Sequence, residues 1–443
     1  MTRPGRISVV NFKDGEVVCY RLVLIKGKAE GCDKVFCKSA GASAPLEFPV
    51  YGGKFKCLGV LDKGENRVTI GATPDCQDLE LRLDFRPRDT RLCVVPVYVV
   101  CRGDPGTFQG PPGADCSPTS ALRRLALGSQ LIQCLYAEKL NEHCFGRKTF
   151  QLECDIVDDA PPARLFRSQL SANEARDKSQ LELWRAIGSE LLAAGLASAH
   201  SKCLALLSCT RWDGEVTSGD AALATGGLAL LGSACLHTWP TVLSDVIKCF
   251  ADTTKLGANL LDNSCYRGTY GACFSTTLGS ACHEVGHMFN LGHPTTGIMS
   301  RGFDNTHRVF LASVHEGESF PRQAPHQATV NITIIPEIRI KQANDDLTHL
   351  SPGCATILAH HRWFNDIPQQ ESTILYDSTR SVVSSEAGLR VVQLRSDCGA
   401  VKKSWEMSGS GTKGGMGHPP TVPPATTLVA VDTNGTILTA PLH

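Results

Sequence analysis

The sequence predicts an α/β domain with a mixed sheet, preceded by a small β-sandwich. Three observations favour this fold class. Short runs rich in Val, Leu, Ile and Phe, separated by turn signals, fill residues 1–90, which is typical of a sandwich. Strand-like and long helix-like segments then alternate, as they do in α/β domains. Around residue 280, small and apolar side chains dominate, which indicates a helix buried in the core.

The first predicted domain, residues 1–90, contains five predicted strands. They are short apolar runs bounded by turn signals such as Asp-Gly and Gly-Gly: Arg6–Val10, Val17–Ile25, Lys54–Leu61, Arg67–Ile70 and Leu79–Phe85. We expect this domain to be an appendage without chemistry. The alternative is a domain that binds a glycan or a protein partner, although no cluster of aromatic side chains recommends it.

The second predicted domain, residues 91–330, alternates strands with helices. The predicted strands are Leu92–Cys101, Thr149–Glu153, Cys203–Ser208 and Gly226–Leu236. Two long segments have helical features, Ser117–His143 and Ser171–Leu196. Ser171 and Glu174 have the spacing of a capping box, which predicts that a helix begins there.

The remaining residues are predicted to form an extension and a tail. Residues 331–405 are predicted to be mixed α/β, with strands at Val330–Ile340 and Gly388–Leu394 and a helix at Cys354–Phe364. Residues 406–443 are predicted to be disordered, because Gly, Ser, Thr and Pro are abundant between Met407 and Pro424.

Charge and composition exclude several classes of protein. The 443 residues include 44 Lys and Arg and 44 Asp and Glu, so the chain lacks the basic surplus of a nucleic-acid binder. The uncharged run Ala221–Ser244 is diluted by Gly, Ser and Thr, which favours a buried strand and a turn over a membrane span. The start shows no secretory signal and the 20 cysteines are scattered. We therefore expect a cytoplasmic protein with reduced thiols.

A pentapeptide inside the buried segment has the spacing of a metal site. In His283-Glu284-Val285-Gly286-His287, the two histidines lie four residues apart and share one face of a helix. Neutral imidazoles are good ligands for Zn²⁺. Glu284 is turned by roughly 100° from His283 around the helix axis, so it can accept a proton from a water at the metal. The alternative interpretation is a surface helix with two stray histidines.

A third histidine favours the metal site. His293 lies six residues after His287, and it reaches the same ion only if the chain turns sharply after Phe289. Asn290 and Gly292 suit such a turn, because both tolerate left-handed backbone geometry.

A methionine downstream also favours this interpretation. Met299 lies in a predicted tight turn, where it would form an apolar floor beneath the imidazoles. If His293 were not a ligand, Glu316 or Glu318 could replace it, but the methionine turn argues against this choice. We expect the thiol of Cys282, next to the first histidine, to point away from the metal and pack in the core.

Together these residues resemble the metzincin clan of zinc metalloproteases, whose pattern is H-E-x-x-H-x-x-G-x-x-H followed by a Met-turn. Asn290 stands where most of the clan has Gly. More narrowly, four segments resemble a family of zinc peptidases of fungi and animals, in which an N-terminal β domain precedes the protease and a jacalin-like domain sometimes follows. These segments are Cys209–Gly214, Gly227–Pro240, Tyr270–His293 and Gly297–Asp304.

The resemblance implies a zincin-like (metzincin) fold and a zinc metalloendopeptidase that acts on proteins or peptides. One Zn²⁺ would be bound by His283, His287 and His293. Glu284 would be the general base and Met299 the Met-turn residue. The resemblance also implies that the strand before the active-site helix, here Gly226–Leu236, is an edge strand that binds substrate by backbone pairing; an ordinary core strand is the alternative.

Two questions stay open at the level of the sequence. An oxyanion-stabilising side chain is not identifiable, and His237, His307 and Tyr270 are candidates by proximity in sequence alone. The alternative function is a catalytically silent binding or scaffolding protein that keeps the zinc fold. The intact Glu284 favours the enzyme, because a structural zinc site needs no base and usually fills its fourth position with a protein ligand.

Overall fold

The structure, a computed structural model, describes residues 6–40, 44–72, 78–312, 347–366, 372–407, 416–417 and 426–442. The predicted strand Val330–Ile340 and the alternative ligands Glu316 and Glu318 lie outside these residues. Within the described ranges, no helix combines the length and the apolar character needed to cross a bilayer.

The described residues of the amino-terminal part form eight strands. They are β1 (Ile7–Val9), β2 (Glu16–Val18), β3 (Leu22–Ala29), β4 (Lys34–Lys38), β5 (Leu46–Tyr51), β6 (Lys54–Val60), β7 (Gly64–Gly71) and β8 (Leu79–Phe85). They pair in the order β1-β3-β6-β5-β4-β7-β8-β2. The β content agrees with the sequence analysis, whereas packing as a sandwich stays a prediction.

Strands β4 and β5 were missed by the sequence analysis, and β2 and β3 were joined into one strand. In β4 only Val35 and Cys37 are buried, between exposed lysines at both ends, so the strand contains an apolar run of only three residues. Between β2 and β3 the chain bends and buries the ring of Tyr20 completely. The burial of single side chains in the core therefore decides that β4 is a strand and that β2 and β3 are separate. A run of apolar residues in the sequence does not show this burial.

A five-stranded mixed sheet forms the centre of the molecule. After β9 (Cys93–Arg102), β10 (Arg164–Ser171) and β11 (Ser201–Leu207) comes a two-stranded hairpin of β12 (Arg211–Trp212) and β13 (Thr217–Ser218), and β14 (Ala222–Thr225) and β15 (Leu228–Gly232) complete the sheet. The strand order is β10-β9-β11-β15-β14. Neighbouring strands are parallel except that β14 runs antiparallel to β15. The predicted mixed sheet is confirmed.

Two strands predicted in this region differ from the structure. One is shorter than predicted, and the other is not a strand. Within Gly226–Leu236 only β15 is a strand, because Gly226 (φ +55°) forms a turn that leads back to β14. The edge strand is therefore β14, and β15 lies inside the sheet. Thr149–Glu153 contributes a single bridge, Val94 to Leu152, because helix α2 (Glu153–Ile156) begins immediately afterwards.

Eight helices are present among the described residues. Besides α2, they are α1 (Pro118–Glu142), α3 (Ala172–Arg176), α4 (Gln180–Ala193), α5 (Val246–Phe250), α6 (Tyr270–Met288), α7 (His307–Phe310) and α8 (Pro352–His360). Short 3-10 turns occur at Leu236–Thr238, Leu243–Asp245 and Arg301–Asn305. The Ser171–Glu174 capping box is confirmed, but a second box at Ser179 and Glu182 divides the predicted helix into α3 and α4.

Helix α1 connects the amino-terminal strands with the rest of the core. One apolar cluster contains Val23 of β3, Leu125 of α1 and Leu278 of α6. Glu138 of α1 is 1% exposed and pairs with Arg147 at 2.7 Å and with Lys26 of β3 at 3.1 Å. Because the cluster is continuous, α6 is held from several sides. The boundaries between the predicted domains stay predictions.

In the carboxyl-terminal part, the described residues form α8 and seven strands. The strands are β16 (Ile374–Asp377), β17 (Val382–Ser385), β18 (Leu389–Ser396), β19 (Val401–Glu406), β20 (Met416–Gly417), β21 (Thr426–Asp432) and β22 (Ile437–Leu442). Four of them form a sheet in the order β19-β18-β21-β22. The predicted disorder is wrong for β21 and β22, which form a hairpin around Asn434-Gly435.

Candidate metal centre

Helix α6 carries the first two histidines, and small residues allow it to lie deep in the protein. Thr269 caps its start by accepting a hydrogen bond from the Ala272 N–H at 3.2 Å. A Cβ added at Gly279 would lie 1.8 Å from the Phe303 carbonyl oxygen, so this approach requires glycine. The helix is buried over almost its whole length, which confirms the prediction of a core helix.

The three candidate ligands converge on one point. Nε2 of His283 lies 3.0 Å from Nε2 of His287 and 3.3 Å from Nε2 of His293. One ligand atom from each residue lies within 4.8 Å of the other two. A tetrahedral zinc ion with Zn–N distances of about 2.0–2.1 Å would hold its nitrogen ligands roughly 3.4 Å apart. The spacing of the three imidazoles therefore fits such an ion.

The turn after α6 brings the third histidine to the other two. The helix ends at Met288 with Phe289 as its C-cap, and Asn290 adopts a left-handed conformation with φ +63°. The Leu291 N–H then donates to the Gly286 carbonyl at 3.1 Å, which closes the end of the helix. Gly292 does not have a positive φ, so its expected left-handed role is wrong. It is needed for close packing instead, since a Cβ there would lie 2.8 Å from the Gly399 oxygen.

Each imidazole is oriented by a hydrogen bond to a backbone carbonyl. Nδ1 of His283 lies 2.9 Å from the Ile298 oxygen, and Nδ1 of His287 lies 2.9 Å from the Leu291 oxygen. Nδ1 of His293 lies 3.2 Å from the Cys398 oxygen. A carbonyl oxygen only accepts, so Nδ1 carries the proton in all three rings. Each Nε2 therefore keeps its lone pair for a metal ion.

Burial favours the neutral form of every titratable group in the cluster. It lowers the pKa of His283 well below its usual value, lowers that of His287 to about 3, and lowers that of His293. Burial also raises the pKa of Glu284 to about 8, and a hydrogen bond with the Ala224 backbone partly opposes this shift. Neutral imidazoles are the state in which histidine binds zinc.

Glu284 lies beside the three histidines without joining them as a fourth ligand. Among the described residues, the group that could hold a metal ion consists of the histidines alone. Glu284 is 3% exposed, and its carboxyl group lies against the backbone of Ala224 in the edge strand β14. It therefore contacts the edge strand of the central sheet.

Met299 lies in the turn that the sequence predicts and packs against helix α6. Gly297 has a φ of +89°, and the Ser300 N–H donates to its carbonyl at 2.9 Å, which closes the turn. Met299 is 1% exposed. A Cβ added at Gly286 would lie 2.4 Å from Met299 Sδ. The thioether therefore packs directly against the helical turn between Glu284 and His287.

Replacing Gly286 by Ala should destabilise the metal-free protein by about 1–3 kcal/mol, because the added methyl group overlaps Met299 and lies 2.9 Å from the Tyr136 hydroxyl. Gly188→Ala in α4 is the matched control: its Cβ would lie 3.5 Å from Leu228, an ordinary contact, so it should stabilise by roughly 0.5–1 kcal/mol. Urea unfolding measures both changes. Equal stability of the two variants would contradict this packing.

The other sequence candidates lie away from the cluster. Tyr270 is thirteen residues before His283 on α6, which corresponds to about 20 Å along the helix. The ring of His237 packs on that of Tyr270, with centroids 5.5 Å apart. His307 contacts the Ser275 hydroxyl at 2.9 Å, about 12 Å along α6 from His283. None of the three is therefore placed to stabilise an oxyanion there. As expected, Cys282 is fully buried in the apolar core.

Residues that the sequence analysis did not consider complete the surroundings of His293. Cys398 and Gly399 come from the turn between β18 and β19, more than a hundred residues along the chain. Arg395 of β18 is packed against Gly292. No spacing or motif links these residues to His293, so the sequence held no signal for them.

Comparison with known proteins gives relatives named as zinc metalloproteinases. A protein of Saccharomyces cerevisiae, named "Putative zinc metalloproteinase", is 25% identical over 348 residues, which cover 69% of this chain and 49% of that protein. A Schizosaccharomyces pombe protein of the same name is 24% identical over 338 residues, covering 70% and 55%. The chain thus spans about half the length of these relatives.

Among solved structures, OgpA from Akkermansia muciniphila in complex with an O-glycopeptide is similar, with a TM-score of 0.44 and 13% identity. The similarity covers 80% of this chain and 93% of that one. A family model described as "Putative peptidase family" matches residues 6–332. The match covers most of the chain and includes the three histidines. The chain belongs to this peptidase family.

Proposed function

We propose that the chain is a zinc-dependent metalloendopeptidase of the metzincin type. One Zn²⁺ would be bound by His283, His287 and His293, and Glu284 would be the general base. The observation that carries this proposal is the convergence of three Nε2 atoms at distances that fit one tetrahedral ion, with 3.0 and 3.3 Å between neighbouring nitrogens.

The donor set leaves one position of a tetrahedral ion free. A structural zinc site usually fills all four positions with protein ligands, whereas here the described residues supply three. When bound, zinc would lower the pKa of a water molecule to about 7 and polarise the substrate carbonyl. These properties are what a peptidase requires of its metal.

Glu284 would transfer the proton. Its carboxylate would accept the proton of the attacking water and deliver it to the nitrogen of the leaving amine. The neighbouring cation would favour ionised Glu284, since an opposite charge opposes the effect of burial on its pKa. The contact with Ala224 places the carboxyl group next to the strand at which we expect the substrate.

The substrate would be an extended segment of a protein or peptide. Among the described residues, strand β14 (Ala222–Thr225) is the last strand of its sheet and pairs with β15 on one side only. A peptide added to its free side would gain backbone hydrogen bonds, and Ala224 would bring that peptide close to Glu284. The edge strand that binds the substrate would therefore be β14, and not the predicted segment Gly226–Leu236.

A binding protein without catalytic activity is the second candidate, and zinc content together with hydrolysis decides between the two. The purified chain should contain one zinc per molecule and cleave an unstructured protein such as reduced casein. A chelator should abolish both properties, and one equivalent of zinc should restore them. Zinc without any cleavage would favour the silent protein, and a chain that binds no zinc would refute both.

A further inference from the structure

We propose that the turn at residues 397–400, between β18 and β19, is part of the metal centre and positions the third ligand, His293. This inference rests on the proposed function, because it assigns the turn a role in binding the same ion. It goes beyond the motif, since the turn lies outside residues 6–332, the range that the family model matches.

Three hydrogen bonds connect His293 to this turn and to Val401, the first residue of β19. The His293 N–H donates to the Gly399 oxygen at 2.8 Å, and the Val401 N–H donates to the His293 oxygen at 2.8 Å. These bonds form a parallel bridge between His293 and Ala400. The third bond runs from Nδ1 of the ring to the Cys398 oxygen at 3.2 Å. Both the backbone and the ring orientation of the ligand are therefore set by residues 398–401.

The other two ligands are oriented by nearby parts of the chain. The carbonyl partner of His287 is four residues away and that of His283 is fifteen residues away, whereas the partner of His293 is 105 residues away. The first two ligands can thus be oriented by α6 and the methionine turn alone. The third ligand, His293, is oriented only when the carboxyl-terminal sheet is in place.

The turn itself is well defined by the surrounding structure. Gly399 has a φ of +79°, and its N–H donates to the Ser396 oxygen at 2.9 Å. A Cβ at Gly399 would lie 3.4 Å from Nδ1 of His293. Arg395, just before the turn, donates through Nε and Nη2 to Oε1 of Gln393 at 2.9 and 2.6 Å. A side chain at position 399 would therefore strain the turn, because of the positive φ, and would bring its Cβ into contact with the His293 ring.

The test compares two glycine variants in full-length protein. Gly399→Ala should weaken zinc binding by about 10- to 100-fold, the usual effect of losing a partner that orients a ligand. Gly435→Ala is the matched control, because Gly435 has a φ of +77° and an N–H that donates to Asp432, three residues back, in the other hairpin of the same sheet. Competition with a chromophoric chelator measures both affinities.

The outcomes separate this inference from the proposed function. Equal zinc affinities in the two variants would overturn the inference alone. A wild-type chain that binds no zinc would overturn the proposed function and the inference with it. A change in the visible absorption of bound Co²⁺ in Gly399→Ala, absent from Gly435→Ala, would further support an altered ligand geometry.

A second measurement needs no variant and covers the case in which Gly399→Ala does not fold. Coupling between zinc binding and the turn is reciprocal. If the formed turn favours zinc binding by a certain free energy, bound zinc stabilises the turn by the same free energy. Adding zinc to the metal-free chain should therefore slow hydrogen exchange of the Val401 amide, and leave the Gly435 amide unchanged. Unchanged exchange at Val401 would overturn the inference.

Discussion

Glu284→Gln should lower kcat for peptide hydrolysis by about 10²- to 10⁴-fold, the usual contribution of a general base. Gln has nearly the same shape but cannot accept the proton of the attacking water. Zinc affinity should stay close to that of the wild type, because Glu284 does not belong to the histidine group that could hold the ion. The two effects are measured by cleavage assays and by zinc titration of the same preparation.

The variant should also fold well. Burial raises the pKa of Glu284 to about 8 in the metal-free protein, which favours the neutral form there, and Gln is neutral as well. Glu215→Gln is a suitable control for the substitution itself, because Glu215 is exposed. If Glu284→Gln cleaved as fast as the wild type, the assignment of the general base would be wrong.

His287→Ala should remove both zinc binding and hydrolysis. Two nitrogen ligands would remain, and the Leu291 carbonyl would lose the ring that now donates to it at 2.9 Å. We expect zinc to be lost during dialysis and hydrolysis to fall to background, as measured by metal analysis and cleavage of an unstructured protein.

His307→Ala is the matched control for this loss of a ring. His307 is half-buried like His287 and contacts the same helix, where Nδ1 lies 2.9 Å from the Ser275 hydroxyl. It should lower stability without changing the zinc content. Retention of stoichiometric zinc by His287→Ala would exclude His287 as a ligand, and loss of zinc in both variants would point to a general effect on folding.

The long helices and buried strands were predictable because their signals are local. Helix α1 follows the predicted segment to within one residue at each end, since Ser117 caps its start and apolar residues recur at helical spacing. The turn at Asn290 was likewise predictable, because its left-handed geometry suits a residue whose polar side chain can hydrogen-bond locally.

The errors arise where a neighbouring segment decides the structure. Strand β10 is largely polar, with Arg164 half-buried and Arg167 exposed, and it forms because β9 offers a parallel edge. Strands β21 and β22 follow a segment rich in Gly and Pro, which concealed the Asn434-Gly435 turn signal. In both cases, the composition of the segment does not show which strand it pairs with.

The sequence by itself determined which residues can meet at a metal ion. Spacing of four residues on a helix, then a turn and a third histidine, restricts where three imidazoles can point. Only the tertiary structure decided which strand forms the sheet edge beside Glu284 and which carbonyl orients His293. The reason is physical: helix geometry acts over a few residues, whereas these contacts form between segments separated by sixty and 105 residues.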